Sequence, residues 1–322
     1  MKTEALLAHL PAQSRKALLK NYQFAMTDTM RQAFSQSEQG IGAQFIPDVR
    51  ELNILPQELS DPIADDPFSP LPFLVHRYHN RVLWKIAPTC AVYCRFCFRK
   101  EHIGRKGEHP QTADIQAALA YIAAHPQIEE VILSGGDPMT LSAPRLAAFL
   151  LPLREIGHVQ RIRLHTRVPV VAPDDVREDY LQVLRDSGKQ LAFVIHVNHA
   201  AEFTAAADAA IARLQHEALL LSQSVLLKGV NDSVEILKSL TDALLVRRIR
   251  PYYLHHLDMA RGTSHFRLSL DEGIALYQDL RALVSGIALP NYVVELPYGG
   301  GKTPVLQLNE AQRAALAAMG IV

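Results

Sequence analysis

Between residues 82 and 296, short runs of branched and aromatic apolar residues alternate with stretches of helix length, and this alternation constrains the fold more than any other feature. The spacing predicts strands over 82–87, 130–133, 161–165, 191–197, 223–227 and 252–257, and a seventh short one over 292–296. Residues 112–124, 143–155, 174–187, 204–216, 233–247 and 271–284 read as the helices that follow. Six β-α units imply a parallel sheet with right-handed crossovers. A closed eight-stranded barrel needs two more, so the expected α/β architecture is a partial six-unit barrel. Ahead of it, residues 1 to about 35 read as helical, and Pro47, Pro56, Pro62, Pro67, Pro70 and Pro72 make residues 36–80 an irregular arm. The expected division is a helical extension and proline-rich arm over 1–80, a barrel over 81–308 and a C-terminal helix over 309–322.

Parallel α/β sheets carry their chemistry on the loops that leave the carboxyl ends of the strands. Every unusual local sequence falls on such a loop. Cys90, Cys94 and Cys97 follow the first strand, Ser134-Gly135-Gly136-Asp137 the second, and Arg167 the third. Asn198 and His199 follow the fourth, Asp258 the sixth, and Gly299-Gly300-Gly301-Lys302 the last. The 33 basic residues balance 33 acidic ones, which argues against nucleic-acid binding and against an anionic membrane surface. No run approaches the ~18 apolar residues of a membrane span, and the N-terminus lacks a continuous apolar leader. Three cysteines within eight residues are no disulfide framework; they point to thiolate ligands in a reducing compartment, the cytoplasm.

The cysteines form C-x3-C-x2-C. Offsets of 0, 4 and 7 would place three thiols on one helix face. A structural zinc would need a fourth ligand, for which His102 is available. An iron–sulfur cluster held by only three thiolates would leave one iron open for chemistry. The glycine-loop lysine also has several readings. A P-loop needs glycine at position 296, which is Leu296. Lys302 could form a Schiff base with an aldehyde cofactor, or sit on a simple surface loop.

C-x3-C-x2-C with Phe96 before the last cysteine resembles the signature of the radical S-adenosylmethionine enzymes, whose fold is a partial (β/α)6 barrel. Together with G-G-G-K the chain resembles the lysine 2,3-aminomutases. His76-Arg77-Tyr78, the segment Cys94 to Lys100, Gln223 to Asp232, Pro251 to Asp258 and His265-Phe266-Arg267 carry the likeness from about residue 65 to about 308. The resemblance implies a [4Fe-4S] cluster on Cys90, Cys94 and Cys97 and S-adenosylmethionine near Ser134, Gly135, Gly136, Asp137, His196 and Gln223. It implies pyridoxal 5′-phosphate on Lys302, with Gly299, Gly300 and Gly301 around it and Arg77 and Arg81 supporting its phosphate. Arg99 would take the carboxylate of L-lysine, and Asp258 and Glu295 its distal ammonium. The implied reaction is a 1,2-amino shift giving β-lysine, driven by an electron from a protein such as flavodoxin or ferredoxin.

Two departures qualify the likeness. Family members that act on lysine have two aspartates where this chain has Asp258 and Glu295, so another basic or shorter amino acid is an alternative substrate. The large members bind a structural zinc through further cysteines, one soon after the Val-Asn-Asp segment; here Val230-Asn231-Asp232 precedes Ser233, so no such site is expected. That short form resembles the enzymes making (R)-β-lysine for elongation factor P. Outside this family, a zinc hydrolase could use His76/His79, His196/His199 and His255-His256, and an RNA-binding protein could use Arg99-Lys100 and Arg247-Arg248.

Overall fold

The computed structural model describes residues 3–104, 109–296 and 300–321. One nine-stranded sheet runs in chain order. Its strands are β1 (Leu74–Tyr78), β2 (Arg81–Ala87), β3 (Glu130–Gly135), β4 (Arg161–Thr166), β5 (Gln190–His196), β6 (Leu219–Val225), β7 (Arg250–His255), β8 (Asn291–Leu296) and β9 (Gly301–Pro304). β2 through β8 are parallel, while β1 and β9 run antiparallel at the two edges. The helices are α1 (Thr3–Leu6), α2 (Ala12–Asn21), α3 (Asp28–Gln36), α4 (Glu38–Phe45), α5 (Thr112–Ala124), α6 (Ala143–Arg154), α7 (Val168–Val171), α8 (Glu178–Asp186), α9 (Ala205–Leu214), α10 (Val234–Val246), α11 (Leu270–Leu283) and α12 (Glu310–Ala318).

Six β-α units and a seventh parallel strand are therefore present. β3 has four consecutive buried residues, the pattern of a strand covered on both faces. The main core lies between the sheet and the first crossover helices, with Trp84 packed edge-on against Phe149 and both fully buried. A second core joins α10, α11 and α12 to β7 and β8 through Leu237, Leu280, Tyr292 and Leu316. The N-terminal helices pack where the cysteines lie: Met30, Ile41 and Phe45 on Val92, and Leu18 and Tyr22 against Tyr93. No helix among the described residues is long and apolar enough to cross a membrane.

The two edge strands were not apparent in the sequence. β1 follows closely on Pro70 and Pro72, and β9 has no apolar alternation. β6 begins at Leu219, earlier than expected, because the run Leu219-Leu220-Leu221 reads equally well as a helix end. α8 starts at Glu178 because Pro173–Asp175 forms a separate single turn. Among the described residues no ladder joins β1 to β9, yet side chains span the opening. The Lys302 N–H donates to the Tyr78 hydroxyl at 3.1 Å, and the Arg77 guanidinium meets Glu295 at 2.5 Å. The barrel is open in its backbone and bridged by polar contacts.

Candidate active site

A cavity of about 220 Å³ opens on the carboxyl ends of the parallel strands. Cys90, Cys94, Cys97, Arg99, Ser134, Gly135, Gly136, Asp137, His196, Gln223, Asp258, Glu295 and Lys302 all line it. Thirteen side chains and backbone sites drawn from seven separate segments thus converge, as loops at the strand ends require.

The cysteine segment leaves β2 at Pro88 and contains no helix, so the helix-face reading of its spacing does not hold. Loop and extension are tied together by Tyr93 N–H to the Ala25 carbonyl (2.8 Å) and Arg95 N–H to the Gln44 carbonyl (2.9 Å). Gly104 N–H closes the loop onto the Pro88 carbonyl at 2.9 Å. Burial pushes all three thiols up in pKa, Cys97 to about 11, so an electropositive group is needed to hold them as thiolates. Arg167 supplies part of that field, donating to Cys94 Sγ at 2.8 Å while Glu202 (2.7 Å) and Gln44 (2.5 Å) hold it. Among the described residues no three His, Cys, Asp or Glu side chains gather as ligands of a single ion, and His102 does not line the cavity. The three thiols line one cavity, an arrangement that suits a cluster with one thiolate per iron.

The turn after β3 explains its glycines. Gly135 has φ +109°, and Gly136 N–H and Asp137 N–H donate to the carbonyls of Ala87 (2.6 Å) and Thr89 (2.8 Å). A Cβ on Gly136 would lie 2.2 Å from the Thr89 carbonyl oxygen. The close approach these glycines permit is therefore to the backbone just before Cys90. The resemblance sets Asp137 near S-adenosylmethionine, whose ammonium an acid could meet. The Asp137 carboxylate instead accepts from Met139 N (3.0 Å), Thr166 Oγ1 (2.7 Å), Arg167 N (2.7 Å) and Val168 N (3.2 Å). With four donors satisfied it is a brace between two strand-end loops. His196, at the end of β5, stacks on Phe96 at 5.5 Å, and its buried Nε2 has no protein partner. Gln223 stands beside it, paired in register on β6.

Lys302 lies in extended β9 opposite Glu295, so the glycine segment leads into a strand and the P-loop reading fails. Glu295 Oε2 accepts from Lys302 Nζ at 3.1 Å, and Oε1 accepts from Arg77 Nη1 at 2.5 Å. Arg77 also donates to the carbonyls of Ile63 (2.5 Å) and Ala64 (3.0 Å) and pairs with Asp65 at 3.4 Å. These four acceptors surround the guanidinium that the resemblance assigns to a phosphate. Arg81 does not line the cavity; it lies 3.8 Å over the Tyr78 ring and bonds Asn80. Gly301 has φ +71° and abuts the Tyr78 hydroxyl, Gly300 abuts Leu296, and Gly299 lies outside the described residues. Arg99 is anchored by Asp65 at 2.6 Å. Burial and then the Glu295 carboxylate raise the Asp258 pKa to about 7.

Three further residues belong to this site. Asp65 ties Arg77 to Arg99 from within the proline-rich arm, and only its proximity in space reveals it. His165 and His255 line the cavity as neutral imidazoles, burial holding His255 down to about 3 and His165 well below its usual value. They sit at strand ends, where a search for strand-terminal histidines would have found them. The histidine pairs of a hydrolase are split: His196 and His255 line the cavity, while His76 bonds Tyr121, His199 accepts from Ala201 N, and His256 meets the Tyr292 hydroxyl. In the basic patches, Arg99 pairs with Asp65, Lys100 with Glu51 and Arg247 with Asp208.

A radical SAM superfamily profile matches residues 84–238. The chain is 41% identical to an L-lysine 2,3-aminomutase of Haemophilus influenzae over 76% of its own length and 72% of that protein's. It is 39% identical to one of Escherichia coli (81% and 76% of the two chains) and 39% to one of Methanococcus maripaludis (82% and 61%). It spans 61–64% of the length of several of these curated relatives.

Proposed function

Because the chain belongs to the L-lysine 2,3-aminomutase family of the radical SAM superfamily, we propose that it is an isomerase moving the amino group of L-lysine from the α- to the β-carbon. The observation that carries this reading is the single cavity that joins three thiols to a lysine, an arginine and two carboxylates. The Arg99 charge acts on both Cys97 and Asp258, which suits a small zwitterion with a cationic tail lying near both.

When bound, the cluster with S-adenosylmethionine supplies a carbon-centred radical, and pyridoxal phosphate supplies the π system on which nitrogen migrates. The protein's residues position these groups and keep water out. Cys90, Cys94 and Cys97 would hold the cluster through their thiolates. His196 Nε2, buried and unpartnered, and Gln223 offer polar contacts to S-adenosylmethionine. Lys302 is the amine for the aldehyde, and Glu295 Oε2 is an acceptor in contact for the proton its Nζ must lose. Asp65 takes one edge of Arg99 and leaves the rest of the fork for the substrate carboxylate. Asp258 receives the distal ammonium, which relieves its unfavourable burial beside Glu295.

Because Arg77 already neutralises Glu295, the cation at the far end is bound chiefly by Asp258, which keeps a shorter basic amino acid in play beside lysine. The electron comes from a low-potential carrier such as flavodoxin or ferredoxin. We further propose that the β-lysine formed serves elongation factor P modification, a reading supported by the resemblance carried by Ser233 where the large family members have a zinc cysteine, and three ligand cysteines suit the cytoplasm. The test is anaerobic reconstitution with iron and sulfide, then pyridoxal phosphate and borohydride, then lysine or ornithine with S-adenosylmethionine and dithionite. Expected are a cluster band lost in Cys94→Ala, a reduced pyridoxyl adduct lost in Lys302→Ala, and β-lysine resolved by chiral chromatography. One zinc per chain with neither chromophore would overturn the reading.

A further inference from the structure

The cysteine loop is gripped from outside the barrel by one carboxylate. Glu51, in the single turn Val49–Leu52, is fully buried. Its Oε1 accepts from Arg95 Nε at 2.9 Å, and its Oε2 from Arg95 Nη2 at 2.7 Å and Lys100 Nζ at 2.9 Å. Arg95 is 1% exposed and Lys100 2%. Arg95 follows Cys94, and Lys100 stands three residues after Cys97. A bidentate fork and a point charge therefore clamp both sides of the segment that carries two of the three thiols.

Other bonds close the same assembly. Arg95 Nη1 donates to the Gln23 carbonyl at 2.6 Å, Lys100 Nζ to the Arg95 carbonyl at 3.1 Å, and the Tyr93 hydroxyl to the Lys100 carbonyl at 2.5 Å. The charges do not balance: one carboxylate faces two cations. The Tyr22 ring, 4.0 Å from Lys100 Nζ, and the Tyr93 ring, 4.9 Å from the Arg95 guanidinium, offset part of the surplus. A surplus buried cation is costly unless an anion lies close. Three ligated thiolates, which make the cluster site negative, would be that anion.

We propose that the Glu51–Arg95–Lys100 triad positions the cysteine loop, and that its surplus positive charge stabilises the reduced, more anionic state of the cluster. The proposal rests on the cluster reading above. It also makes the N-terminal segment part of the site, since Glu51 lies outside residues 84–238 matched to the superfamily.

The test uses the full chain, reconstituted anaerobically, with iron per chain and the cluster's midpoint potential (electron paramagnetic resonance titration) as readouts. Lys100→Met keeps the Arg95–Glu51 pair and removes the surplus charge. It is expected to retain wild-type iron and to shift the reduction equilibrium at least tenfold toward the oxidised state, about 59 mV for one electron. Glu51→Gln leaves two buried cations unpaired and is expected to hold less than half of the wild-type iron, with Glu51→Asp restoring most of it. A wild-type chain that forms no cluster overturns the cluster reading and the triad with it. A wild-type cluster whose potential is unmoved by Lys100→Met, or full iron in a folded Glu51→Gln protein, overturns the triad alone. Where Glu51→Gln does not fold, the potential of Lys100→Met decides.

Discussion

Asp258 should make the empty protein less stable as pH rises from acid to neutral. Burial and the Glu295 carboxylate raise its pKa from an ordinary 3.8 to about 7. Between these values the folded chain keeps a proton that the unfolded chain has released, so folding is favoured at the acid end and the advantage is lost as pH climbs through 7. At 1.36 kcal/mol per unit, the part between pH 5 and pH 8 amounts to about 3 kcal/mol. Asp258→Asn keeps the shape and removes the titration. Urea denaturation of both proteins at pH 5 and pH 8 isolates the effect, because distant carboxylates contribute equally to each and cancel. The stability of the variant relative to the parent is expected to improve by about 3 kcal/mol on going from pH 5 to pH 8. A difference that stays constant, or moves the other way, would refute the argument that burial, with Glu295 nearby, holds Asp258 protonated in the empty site. The same variant should lose binding of cationic amino acids, since the group that is unfavourable in the empty site is the one a substrate ammonium satisfies.

Gly136→Ala would set a Cβ 2.2 Å from the Thr89 carbonyl oxygen and force the backbone before Cys90 to move; a loss of about 1–3 kcal/mol and of most of the iron is expected by melting and iron analysis. Gly157→Ala, with nothing near its Cβ, should change neither and serves as the control. Tyr78→Phe removes the acceptor of the Lys302 N–H at 3.1 Å, and hydrogen exchange at that amide should rise about fivefold, equivalent to about 1 kcal/mol. Trp84→Ala, fully buried against Phe149, should cost about 3–5 kcal/mol in urea denaturation.

Much of the site was legible because strand ends and helix starts carry local patterns. Once the first strand was recognised at 82–87, the loop holding Cys90, Cys94 and Cys97 had to lie on the rim shared with Ser134, Asp258 and Lys302. Polar residues near helix starts are a similar local signal: Thr204 accepts from the third residue of α9 as its cap, and Ser142 occupies the cap of α6. Thr112, by contrast, is the first helical residue and Gln111 occupies the cap of α5. Partnership is not a local property. Asp137 sits in a motif that suggests a ligand contact, yet four donors from two loops occupy it. Arg77 looks like a free cation in the arm, yet it is paired with a residue 218 positions away.

Local pattern was enough for the succession of the parallel strands, the rim on which chemistry sits, and the identities of the thiols and the lysine, because hydrophobic period and motif spacing are local properties. Tertiary structure alone decided which charges are answered and which are not. It set Glu295 between Arg77 and Lys302, left Asp258 buried beside it, and brought Glu51 of the N-terminal segment under two cations of the cysteine loop. Electrostatic energies depend on separation and burial, and neither is written in the distance between residues along the chain.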